Sequence, residues 1–175
     1  IMDTASRPQV EDIAGIAVFS GMRVELLEFL LEESVYQDIN RGETLYTHGG
    51  DKRKMYCLLS GRIKIGLTAS SGNERIIDIV LPGKTFGESA LFWKREAPVY
   101  AQAMTPSLLL VLNSESVLES MRKWPEVTLS FLELAHLRIQ SLLQGMYACC
   151  LRTAEQRVND YLMQNAEALM SDQMQ

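Results

Sequence analysis

Cysteine is scarce in this chain: Cys57, Cys149 and Cys150 make an odd number, and two of them are adjacent. Adjacent cysteines cannot pair without strain and no Cys-x-x-Cys spacing occurs, so neither a disulfide framework nor a cysteine-held zinc or iron–sulfur site is implied. The three read instead as small apolar residues of a strand and a helix. Histidine is scarcer still, with only His48 and His136. A jelly-roll metalloenzyme needs two or three histidines and a carboxylate converging in its barrel, and no Ser–His–Asp or Cys–His pairing has a motif around it, so no enzyme is expected. An excess of positive charge is missing too. The net charge of −5 and a pI near 5.1 give these residues no overall attraction to phosphate backbones or anionic membranes. Long hydrophobic runs are absent: "SLLLVLN" is far too short to cross a bilayer. The N-terminus, with acids at Asp3, Glu11 and Asp12, has no signal-peptide pattern, and the expected compartment is the cytoplasm.

What is present suits a globular domain with an appendage. At 175 residues and 47% hydrophobic, a chain buries about 70% of the surface it exposes unfolded. "RVELLEFLLEES", Arg23 to Ser34, places apolar residues at 24, 26, 27, 30 and 31 with acids opposite, the pattern of an amphipathic helix. From Val35 to Asn113 the period shortens. "ETLYTH", "MYCLLSG", "RIKIGLT", "RIIDIVL", "YAQAM" and "SLLLVLN" alternate with turn sequences such as "NRGE", "SSGNE" and "PGK". Ile63, Ile65 and Leu67 alternate with Arg62, Lys64 and Gly66, as in a half-buried antiparallel strand. Short strands at regular spacing predict a sandwich or barrel, best a jelly roll.

The remainder is helical. A cap at Asn113 or Ser114 opens one helix, and Pro125 restarts the chain in a longer one of about 25 residues and about 37 Å. Leu132, Ala135, Ile139, Leu142, Met146 and Cys149 follow 3,4,3,4,3 spacing, the seam of a two-stranded coiled coil, and Phe131, Leu134, Leu137 and Leu143 add apolar flanks. A helix apolar on more than one side needs more than one partner, so a parallel homodimer is expected through it. "RTAEQRVNDYLMQNAEALM" then begins a new amphipathic segment whose apolar face has nothing left to pack against, which reads as the first helix of a further domain.

The short stretch "LPGKTFGESALF", Leu81 to Phe92, carries Gly83 and Gly87 four residues apart, the second leading into a carboxylate. An N-terminal helix, a small jelly roll with "G-x-x-x-G-E-x-A-L-F", a long heptad helix and "T-x-x-x-R-V" opening another helix together resemble the bacterial cyclic AMP receptor protein/fumarate–nitrate regulator (Crp/Fnr) superfamily over roughly residues 16 to 165. The resemblance implies an α+β fold: a cyclic-nucleotide-binding-type β jelly roll, flanking helices and a long C-terminal dimerisation helix. It implies an effector-binding region at 1–124, the dimerisation helix at 125–150, and a hinge with the first helix of a winged helix-turn-helix at 151–175. It also implies DNA contact through a C-terminal domain beyond this segment, and a small-molecule or gas effector.

In cyclic-nucleotide-binding members the Gly-Glu pair opens a short helix whose N–H groups face a phosphate while the carboxylate accepts from a ribose hydroxyl. By resemblance Gly87, Glu88 and Ser89 occupy that place, Arg95 or Lys94 is a candidate cation, Arg138 on the long helix pairs with Glu88, and Leu142 lies on the effector side as well as on the seam. The family's phosphate-binding Arg and its small neighbour fall, with a one-residue gap, on Ala97 and Pro98, which carry neither charge nor N–H donor. Where relatives present hydroxyls to the purine, this chain has Leu142 and Leu143. Both departures point away from cyclic AMP. The cofactor is left open between a cyclic nucleotide and haem: His48 and His136 are candidate axial ligands, though a lone histidine is more often a solvated turn or helix residue than a ligand. Residues 1 to 30 hold no cysteine cluster for an iron–sulfur sensor. "PVYAQA" resembles the nitric-oxide-responsive dissimilatory nitrate respiration regulators. The alternative is a cyclic-nucleotide-binding regulatory module of a signalling protein; the long heptad helix favours the transcription factor.

Overall fold

The computed structural model describes residues 7–47, 54–69, 71–92, 99–151, 153 and 156. It divides into two units, Ile1–Phe131 and Leu132–Gln175.

In the first unit a short helix α1 (Val10–Ala14) and a 3-10 turn (Ala17–Phe19) precede α2 (Val24–Leu31). The periodicity of α2 works as its sequence dictates: Leu26, Leu27 and Leu30 are buried while Val24, at the first turn, is exposed. Eight strands follow: β1 (Val35–Ile39), β2 (Thr44–Tyr46), β3 (Lys54–Ser60), β4 (Ile63–Thr68), β5 (Glu74–Val80), β6 (Thr85–Phe86), β7 (Val99–Ala103) and β8 (Ser107–Asn113). They form two antiparallel four-stranded sheets, ordered β1-β8-β3-β6 and β2-β7-β4-β5, the jelly roll expected of regularly spaced strands. β1 and β6 are not among the apolar segments of the sequence. β1 alternates only weakly and β6 has two residues, too few for any period.

The core lies between the sheets, around Leu58, Ile63, Phe86, Ala101 and Leu109. β3 and β8 are inner strands of their sheet and bury consecutive residues, Met55 to Leu58 and Leu109 to Leu112, because helices and the second sheet cover opposite faces. β4 departs from simple alternation. Ile63 and Ile65 point inward and are buried, but Leu67, near the strand end, is 36% exposed. Gly66 is buried instead, because the ring of its cross-strand neighbour Tyr100 lies over the space a side chain would need. Tyr100 there donates to Glu74 at 3.0 Å.

A short helix α3 (Ser89–Phe92) links β6 towards β7, and α4 (Ser114–Lys123) follows β8. The Asn113 side chain caps α4 by accepting from the Glu115 N–H at 2.9 Å, satisfying one of the helix's orphan donors. Asn113 Nδ2 and the Ser116 hydroxyl also donate to Glu33, at 2.8 and 3.0 Å, tying the end of α2 to the start of α4. The long helix α5 runs from Pro125 to Leu151. Its first turns belong to the core: Val127 is buried, and Phe131 meets Phe19 edge to face at 6.0 Å. Phe131 is therefore a core residue of its own unit and not a flank open to a partner.

In the second unit α5 shows its other side chains to solvent. Leu132, Leu137, Ile139, Leu142, Leu143, Met146 and Tyr147 are each more than half exposed. Beyond the helix, Thr153 and Gln156 exchange two hydrogen bonds, N–H to Oε1 at 3.0 Å and N–H to Oγ1 at 3.3 Å. This reciprocal pattern is that of a capping box. The rest of the segment expected at 151–175 lies outside the described residues.

Candidate functional site

The Gly-Glu joint sits between β6 and α3. β6 pairs with β3, Thr85 opposite Cys57 and Phe86 opposite Tyr56. The Tyr56 and Phe86 rings stack at 5.1 Å and 14°, and Tyr46 stacks on the other side of Tyr56 at 6.0 Å. Tyr56 and Phe86 are almost fully buried, so an aromatic ladder backs the joint. Gly87 has φ +82°, and an added Cβ would stand 3.1 Å from the Tyr56 ring and 3.6 Å from the Lys54 carbonyl. Glycine is thus needed twice over at this position, for a left-handed backbone and for the close approach of β3.

Glu88 follows, half-buried. It accepts a hydrogen bond from the Thr85 hydroxyl, and its carbonyl accepts from the Leu91 N–H at 3.0 Å as α3 begins. The carboxylate is held in a defined direction by a residue that is itself buried. Cys57, fully buried behind it, has its thiol pushed well above the usual range, first by loss of water and second by the nearby Glu88 charge. A thiol so placed is neutral and inert. The arrangement offers one oriented carboxylate at a glycine turn backed by a buried aromatic ladder, which suits recognition of a hydroxyl-bearing ligand.

Of the residues singled out from sequence, Gly87, Glu88 and Ser89 are contiguous at this joint, with Ser89 opening α3. Lys94, Arg95, Ala97, Pro98 and His48 lie outside the described residues, as do the side chains of Ser89 and Cys149. Arg138, half-buried, and Leu142, 57% exposed, stand on α5 in the second unit. His136 is exposed on the same helix. Sequence reasoning missed Thr85, Tyr56 and Tyr46. Thr85 had a usable signal, since Thr-x-x-Glu is the spacing at which a hydroxyl and a carboxylate meet around a turn; the two tyrosines had none, because cross-strand stacking depends on register. Among the described residues no group of three His, Cys, Asp or Glu could hold a metal, and no helix is long and apolar enough to cross a membrane.

Comparison with known proteins agrees with this geometry. The family model for the cyclic nucleotide-binding domain matches residues 36–123. The CRP-like cAMP-activated global transcriptional regulator of Mycobacterium tuberculosis is 24% identical over 161 residues, spanning 90% of this chain and 70% of the relative. The cyclic AMP receptor protein of Thermus thermophilus is 27% identical over 113 residues, 65% of this chain and 52% of that protein. Among solved structures, the sensor domain of the transcriptional regulator DNR from Pseudomonas aeruginosa superposes with a TM-score of 0.66 at 22% identity, covering 77% of this chain and 90% of that one. The first of these relatives and the solved sensor domain are named as transcriptional regulators.

Proposed function

Because the chain belongs to the cyclic nucleotide-binding domain family, within the Crp/Fnr superfamily, we propose that it is the effector-sensing and dimerisation part of a cytoplasmic DNA-binding regulator whose effector is not cyclic AMP. The family match across 36–123 carries the reading, and the Glu88 carboxylate held by Thr85 is its chemical counterpart. DNA is reached through a domain beyond the residues described. In this reading Glu88 meets the effector's hydroxyls, the Gly87 turn lets it approach, and Arg95 supplies positive charge.

The two curated relatives are named for cyclic AMP; this sequence departs from such proteins at Ala97 and Pro98, where a cation and a hydroxyl are needed, and at Leu142 and Leu143, which offer no hydrogen bond to a base. A charge-assisted hydrogen bond is worth about 1.5 to 3 kcal/mol, so loss of the arginine alone weakens binding about ten- to a hundredfold. Isothermal titration with cyclic AMP and cyclic GMP should give no saturable binding in the micromolar range. Saturable micromolar binding would show that Lys94 or Arg95 has taken over the phosphate, and would refute the exclusion of cyclic AMP.

Support for the homodimer comes from the exposed seam of Leu132, Ile139, Leu142 and Met146, with Ala135 and Cys149 completing the spacing. An apolar stripe of that length is costly in water and is covered by a second copy. Sedimentation at tens of micromolar, on the order of the concentrations where such seams associate, should show a dimer that Leu142→Glu converts to monomers. A wild-type monomer under those conditions refutes it.

A further inference from the structure

A second concavity stands apart from the Gly-Glu joint and shares no residue with Gly87–Phe92. It measures about 930 Å³ and lies among α1, the end of β1, the bulged end of β3 and the start of β8. That is the upper range of small-molecule sites. Three carboxylates line it, Glu11, Asp12 and Asp38, and no lysine, arginine or histidine does. Asp12 is fixed by the Tyr36 hydroxyl that donates to it. The side chains of Glu11 and Asp38 make no hydrogen bond or ion pair with any described residue, so two exposed negative charges line the concavity without a partner. Leu59, Pro106 and Leu108 supply apolar surface between them; none of the three is fully buried.

The class of ligand follows from one further observation. The carboxylates do not converge: among the described residues no three acidic, histidine or cysteine side chains are close enough to share a metal ion. Separate charges joined by apolar wall match separate cationic groups joined by hydrocarbon, each ammonium at a carboxylate and the methylenes on leucine and proline. We propose that this concavity is a binding site for an aliphatic polyamine, distinct from the effector site and independent of the reading given for it.

Spermidine is the probe. Calorimetric titration of the whole chain should show saturable binding, and amide resonances of Asp38, Leu59 and Leu108 should shift with it. Glu11→Gln combined with Asp38→Asn should weaken binding about tenfold, two exposed charge pairs being lost together. Both side chains are exposed, so the variant should fold normally by circular dichroism. The amide shifts of the unaltered chain test the site even if it does not. Magnesium at matched ionic strength should leave those amides unmoved. Absence of saturable binding, equal affinity in the double variant, or the same shifts with magnesium would each overturn the proposal; the last would mean simple charge screening. Persistence of the shifts only in a chain lacking residues 1–6 would assign the concavity to that segment and overturn it equally.

Discussion

Replacing Gly87 by alanine perturbs the backbone and the packing of the candidate site together, and the structure sets the size of each effect. At φ +82° a residue with a Cβ costs about 1 to 2 kcal/mol. The stiffer unfolded chain raises its own free energy and returns about 0.4 to 1 kcal/mol of that. The new methyl would stand 3.1 Å from the Tyr56 ring, which must retreat by a few tenths of an ångström. Tyr56 is only 4% exposed and is stacked on Phe86 at 5.1 Å, so the retreat strains a packed ladder and adds about 1 kcal/mol. The net loss is about 1 to 2.6 kcal/mol, or about 2 to 10 °C in Tm for a chain of this size. Gly42 is the control. It has φ +85° with nothing within 4 Å of its Cβ position, so Gly42→Ala carries the strain without the contact and should cost about 0 to 1.6 kcal/mol, about 1 kcal/mol less than Gly87→Ala. Urea unfolding of the two variants beside the parent chain, followed by circular dichroism, separates the two effects. If Gly87→Ala is no more destabilised than Gly42→Ala, the close packing of Tyr56 beneath the joint is wrong.

Two further outcomes rest on buried groups. Cys57 should resist thiol reagents until the chain unfolds, because its thiol is buried and held neutral; Cys57→Ala should leave the labelling kinetics of the native chain unchanged, and slower or smaller labelling in that variant would refute it. Tyr36 has its hydroxyl pKa raised above the usual value near 10, first by burial and then by donating to Asp12. Its folded pKa thus exceeds its unfolded one, so its contribution is complete below pH 10 and is lost as pH climbs through the folded value. Denaturant midpoints taken from pH 8 to 11 should fall more steeply for the parent than for Tyr36→Phe, and parallel curves would show that Tyr36 titrates alike in both states.

Much of this molecule is written in local patterns. The 3.6 period of Leu26, Leu27 and Leu30, the cap at Asn113, the restart at Pro125 and the glycine turns between apolar segments depend on neighbours in the chain, and each appears where those neighbours place it. The Gly-Glu joint was visible for the same reason. What the order of residues could not express is who sits across from whom. β1 and β6 have too little alternation to be seen alone, yet they become strands because β8 and β3 offer them partners. Tyr56, Phe86 and Tyr46 are far apart in sequence and meet only through that pairing. Phe131 carries the same apolar signal as Leu132, but one is buried against Phe19 and the other is exposed. Local chemistry decides which backbone shapes are cheap; tertiary structure decides which apolar side chains find cover, because burial is a property of the neighbours that folding brings together.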